Sequence, residues 1–153
     1  MRERRIRAGV RILVIVSVWA GLAAAGRGAI PAAERQALID LYLATGGDAW
    51  AHSTNWGGAP GTEDTWYGVT VSGDHVTGLD LHSNNLSGVL PAAIGNLPYL
   101  QTLYLYSNQL TGSIPAALGS LTNLQSLWLD SNQLTGSIPA ELGNLTNLQW
   151  LWL

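Results

Sequence analysis

Cysteine is absent from this chain of 153 residues. No disulfide can staple it and no thiolate can act as nucleophile or metal ligand. Stability must come from packing, and thiols give no reading of redox compartment. Basic side chains are almost missing past residue 25. Arg27 and Arg35 stand there against Glu34, Asp40, Asp48, Glu63, Asp64, Asp74, Asp80, Asp130 and Glu141, two positive against nine negative for a net charge of −7. Such a surface repels polyanions, which excludes nucleic acid and an anionic membrane surface as expected partners. A glycine loop of the phosphate-cradling form is missing as well. His52, His75 and His82 are isolated, with no third ligand or ordered nucleophile beside them. Catalysis, a cofactor and a metal are therefore not expected.

Long apolar runs are also lacking. The longest, Ile12 to Ala25, has 14 residues, short of the ~20 that a spanning helix needs. Arg2, Arg4, Arg5, Arg7 and Arg11 precede it and Ala23-Ala24-Ala25 close it. That order of charge, apolar stretch and small residues is expected to be a signal peptide over residues 1–25, cleaved after Ala25, which makes the mature chain secreted or surface-exposed without membrane insertion. An uncleaved N-terminal anchor is the alternative.

What is present repeats. Leu79, Leu103, Leu127 and Leu151 are spaced by 24 residues, and so are Leu81, Leu105, Leu129 and Leu153. The same period relates Asn84, Asn108 and Asn132, then Gly88, Gly112 and Gly136, then Pro91, Pro115 and Pro139. A fixed period of this size means one supersecondary unit stacked on copies of itself, each burying its apolar edge against its neighbours. In Leu103-Tyr104-Leu105 the alternation predicts a strand with leucines inward and Tyr104 outward. Asn108 falls where the chain must turn. Its amide can pair with backbone groups that the bend frees, and its copies at Asn84 and Asn132 can extend a ladder through the stack. Gly112 and Pro115 shape the return, and Ile114, Leu118, Leu121 and Leu124 complete the expected buried ring.

The units LQTLYLYSNQLTGSIPAALGSLTN (100–123) and LQSLWLDSNQLTGSIPAELGNLTN (124–147) resemble the 24-residue plant-type leucine-rich repeat, marked by LxGxIP after the asparagine. The resemblance covers roughly residues 76–153 and implies an α/β solenoid, a right-handed superhelix with a parallel sheet on its concave face and an N-terminal helical cap. Residues 76–153 are expected to hold three full repeats and a truncated fourth. The chain stops in mid-repeat, so it is expected to be a fragment, with coverage of the last strand by another chain as the alternative.

Residues 26–75 differ in composition. Pro31 opens a stretch, AAERQALIDLYLAT, that predicts a helix of about 14 residues ending at Gly46-Gly47. Trp50, Trp56 and Trp66 follow in a polar loop, and Tyr67–Val71 and His75–Leu81 are predicted strands joined by Ser72-Gly73-Asp74. Trp66-Tyr67-Gly68-Val69 resembles the WxGV that leads from a plant-type cap into the first repeat. The cysteine pair usual there is missing, with Asp64 and Val71 near its places. The resemblance is closer to the caps of microbial leucine-rich repeat proteins, with tryptophan packing expected in place of the disulfide.

The outward strand positions carry the candidate contact residues. The middle position reads Asp80, Tyr104, Trp128 and Trp152; the one before it Gly78, Thr102, Ser126 and Trp150; the one after it His82, Tyr106 and Asp130. With strands ~4.8 Å apart, Tyr104, Trp128 and Trp152 should form an aromatic column on the concave face. Asp80, His82, Tyr104, Tyr106, Trp128, Asp130, Trp150 and Trp152 are thus the expected residues for a protein or peptide partner. Cross-strand stacking that only stabilises the sheet is the competing reading. Further alternatives are the sensor region of a receptor-like kinase whose catalytic domain lies elsewhere, a carbohydrate-binding surface, and an adhesion element. Asn85-Leu86-Ser87 and Asn144-Leu145-Thr146 match the N-glycosylation pattern, so a glycan is possible in a source that glycosylates.

Overall fold

The computed structural model describes residues 29–153, so the expected signal peptide lies outside the described residues. The predicted helix is α1, Ala32–Ala44, and the seven strands are β1 (Val69–Ser72), β2 (His75–Asp80), β3 (Ser87–Val89), β4 (Thr102–Tyr104), β5 (Gln109–Thr111), β6 (Ser126–Trp128) and β7 (Trp150–Trp152). Short 3-10 helices at Ala92–Asn96, Ala116–Ser120 and Ala140–Asn144 return each coil on the far side. Each starts after Pro91, Pro115 or Pro139, whose ring presets the backbone there.

The principal sheet has the order β1-β2-β4-β6-β7. Strand β1 runs antiparallel to β2, and the other neighbours are parallel. The 24-residue period fixes the register, since Leu79, Leu103, Leu127 and Leu151 pair in sequence across it. A second, two-stranded sheet pairs β3 with β5, and an isolated bridge between Ser113 and Thr135 extends that line. The result is a solenoid of parallel coils with the longer sheet on its concave side.

The leucines fill the interior. Leu79, Leu81, Leu103, Leu105, Leu124 and Leu127 are fully buried, and burying a leucine stabilises by about 1.5–3 kcal/mol. Leu118 and Leu121 are buried as expected, but Ile114 is only half-buried. It borders an opening of about 330 Å³ that Leu129, Leu134, Ile138 and Leu153 also line.

The asparagine ladder is present, and it runs from side chain to backbone. Asn108 Oδ1 accepts the N–H of Asn84 at 3.0 Å and of Leu86 at 2.9 Å, while its Nδ2 donates to Leu81 and Leu105 carbonyls at 2.9 Å each. Asn132 repeats the pattern toward Leu110, Leu105 and Leu129. Asn84 takes the backbone of His52 instead, accepting its N–H at 2.6 Å and donating to its carbonyl at 2.9 Å. The residue before each asparagine, Ser83, Ser107 or Ser131, adopts a left-handed backbone with φ of 49°, 56° and 56°. That bend, unusual for a side chain with a Cβ, turns the asparagine inward.

The segment before the repeats packs differently. Ala37, Leu38 and Leu41 of α1 are fully buried. Trp50 and Trp66 are 6% and 2% exposed, and Trp56 is half-buried. Ring centroids link Tyr42 to Trp50 at 5.2 Å, Trp50 to Trp56 at 4.9 Å and Trp56 to Trp66 at 5.2 Å. The Arg35 guanidinium sits 4.9 Å from the Trp66 ring centroid and pairs with Glu63, which is itself buried. Glu34, 2% exposed, accepts the Val76 N–H at 2.8 Å and lies 2.6 Å from His75 Nδ1, tying α1 to β2. Desolvation, then the hydrogen bond and charge of Asp48, raise the Tyr42 phenol above its ordinary pKa. Gly68 of the WxGV element has φ 76°, and a Cβ there would meet the Asp80 carbonyl oxygen at 2.2 Å, so only glycine lets β1 approach β2 this closely.

Candidate functional site

Alternation along β2, β4, β6 and β7 sends one side chain of each middle position out of the sheet, and the pairing sets Asp80, Tyr104, Trp128 and Trp152 side by side. The rings touch. Tyr104 and Trp128 have centroids 5.0 Å apart at 47°, Tyr106 and Trp128 5.5 Å at 52°, and Trp128 and Trp152 6.1 Å at 55°. His82 stacks on Tyr106 at 4.7 Å and 6°, and its Nδ1 lies 2.5 Å from Asp80 Oδ1. Six of the eight expected residues therefore form one connected chain, with Trp128 at the centre.

The other two stand apart from it. Trp150 is 58% exposed and makes no ring contact with the cluster. Asp130 is half-buried, and its Oδ2 accepts the Ser131 hydroxyl at 3.3 Å. The preceding outward column departs further from expectation. Gly78 and Ser126 are buried and Thr102 is half-buried, because small side chains there are overhung by their neighbours. A Cβ on Gly78 would lie 2.9 Å from Thr102 Oγ1. From Gly78 to Ser126 that column contributes shape to the face and little accessible chemistry.

The ring contacts are tilted, and Trp128 lies half-buried among Tyr104, Tyr106 and Trp152. Its Nε1 is buried without a hydrogen-bond partner, a group whose burial costs about 1–3 kcal/mol. Among the described residues, no group of three or more His, Cys, Asp or Glu side chains is placed to hold a metal ion. No helix among them is long and apolar enough to cross a membrane.

These coils, asparagines and sheet define a class of repeat protein. Residues 74–134 match the leucine rich repeat family model, and the array has the fold of a leucine-rich repeat solenoid, similar to plant-type ones. Among solved structures, PEPR1-AtPEP1 is 29% identical with a TM-score of 0.69, over 78% of this chain and 17% of that one. A plant ice-binding protein is 28% identical with a TM-score of 0.71, over 81% of this chain and 40% of its own. The BIR2 ectodomain from Arabidopsis thaliana is 29% identical with a TM-score of 0.68, over 75% and 63%. The chain thus spans less than two thirds of the length of each of these structures. No curated protein matches at the sequence level. The matched family model describes a repeat and not an enzyme.

Proposed function

We propose that this chain is the partner-binding region of a secreted or cell-surface protein, with residues 1–25 as a cleaved signal peptide, 26–75 as cap and 76–153 as the repeats. The partner is a protein or peptide seated on the concave sheet face. The observation that carries this reading is the ring cluster of Tyr104, Tyr106, Trp128 and Trp152, four aromatic side chains on one face. Rigid rings give large contact area with little entropy to lose, which is why they anchor interfaces. Likeness to PEPR1-AtPEP1 and to the BIR2 ectodomain supports a receptor-like role.

The test uses a partner captured from the native surroundings and then purified. Tyr104→Ala and Trp128→Ala should each weaken its binding by about 1–3 kcal/mol in titration calorimetry, while Glu141→Ala on the return side leaves affinity unchanged. Thermal melts of each variant run alongside. Unchanged affinity in both aromatic variants would overturn the reading, and loss of stability in place of affinity would assign the rings to sheet stabilisation.

A further inference from the structure

We infer that the concave face selects a cationic, extended peptide, with two arginine or lysine side chains three or four residues apart that reach Asp80 and Asp130 across the ring cluster. This rests on the peptide-binding reading and adds the chemistry of the occupant.

Charge is the first support. Arg35 is the single basic side chain among the described residues, and it is consumed internally by Glu63 and the Trp66 ring. The sheet face therefore has no lysine or arginine of its own to neutralise its carboxylates. Asp80 is exposed on the first coil and Asp130 half-buried on the third. Each engages one oxygen locally, Asp80 Oδ1 with His82 and Asp130 Oδ2 with Ser131, which leaves its second oxygen without a protein partner. A bound cation has an acceptor at both.

The position of the rings is the second support. Tyr104, Tyr106 and Trp128 lie on the coils between and beside the two carboxylates. A guanidinium or ammonium approaching either acid passes over aromatic surface, whose electron-rich faces attract it.

Spacing gives the register. Two strand separations across the sheet and two residues along it put the Asp80 and Asp130 backbones about 12 Å apart. An extended peptide covers that span in three to four residues at about 3.3 Å each. A helical peptide, rising about 1.5 Å per residue, would need its basic residues seven or eight apart to cover the same span, so a spacing of three or four marks the extended form.

The experiment screens a random dodecapeptide display library against the whole chain, with Trp128→Ala as a counter-screen. Enriched peptides should carry two basic residues three or four apart. One of them, synthesised, should lose about tenfold in affinity to Asp80→Asn and to Asp130→Asn, and its binding should weaken steeply between low and high salt. The aspartate-to-asparagine changes preserve shape on an exposed face, and circular dichroism verifies the fold. Enriched peptides that are uncharged or acidic, yet need Trp128, would overturn this inference while leaving the contact face in place. Enrichment of no Trp128-dependent peptide would overturn both.

Discussion

The segment before the repeats and the repeats themselves solve the same problem with opposite means. In the segment every stabilising contact occurs once: Trp66 under Arg35, Arg35 on Glu63, Glu34 on the Val76 N–H. In the coils the main contacts occur in copies, with leucines in register and asparagines bridging coil to coil. A unique contact has no neighbour to share its loss, whereas a repeated one is lost from a lattice that retains its other copies. The cap also needs its one-off contacts, because it covers the apolar end and sheet edge that a first coil otherwise exposes.

The sharpest way to break that contrast is Trp66→Ala. Its ring is 2% exposed, packed against Trp56 and under Arg35, so the substitution should cost about 3–5 kcal/mol in denaturant melts. A change within about 0.5 kcal/mol, usual for surface substitutions, would remove Trp66 from the core. Asn108→Ala comes next. It strands the Asn84 and Leu86 N–H groups and the Leu81 carbonyl inside the array, for about 3 kcal/mol, the upper end of the range for a buried unsatisfied group. Glu34→Ala should cost about 2 kcal/mol by freeing the buried Val76 N–H, and Glu34→Gln should restore more than half of it, since an amide oxygen still accepts. Equal losses in the alanine and glutamine variants would show that charge, not hydrogen bonding, holds this joint. The smallest effect is expected at Gln109→Ala. Its side chain meets only Asn85 on the surface, so stability should move by less than about 0.5 kcal/mol. Equal effects at Asn108 and Gln109 would mean that the inward and outward phases are exchanged.

The same division governs what the sequence discloses. Leucine, asparagine, glycine and proline at a 24-residue spacing disclose the register, the ladder and the returns, because each copy restates the constraint. Alternation in Leu103-Tyr104-Leu105 discloses which side chains reach the sheet face. Contacts made once leave no such trace. Glu34 and His75 are 41 residues apart and Arg35 and Glu63 28 apart, and no local pattern joins them. The left-handed serines had a signal that a turn reading centred on Asn108 passes over: Ser83, Ser107 and Ser131 share the period. Ring tilts, the unpaired Trp128 Nε1 and the burial of Ser126 depend on side-chain packing across strands, which period alone does not specify.

The asparagine ladder has a direction, and that direction is the order in which a ribosome delivers the chain. Asn84 bonds back to His52, Asn108 back to Leu81, Asn84 and Leu86, and Asn132 back to Leu105 and Leu110. Each asparagine thus bonds to residues already made, besides the carbonyls of its own coil. Each new asparagine can close the coil before it as soon as it leaves the exit tunnel, at synthesis rates of about 5–20 residues per second, while the sheet N–H groups of Leu81, Leu105 and Leu129 wait for the Tyr104, Trp128 and Trp152 carbonyls of the coil that follows.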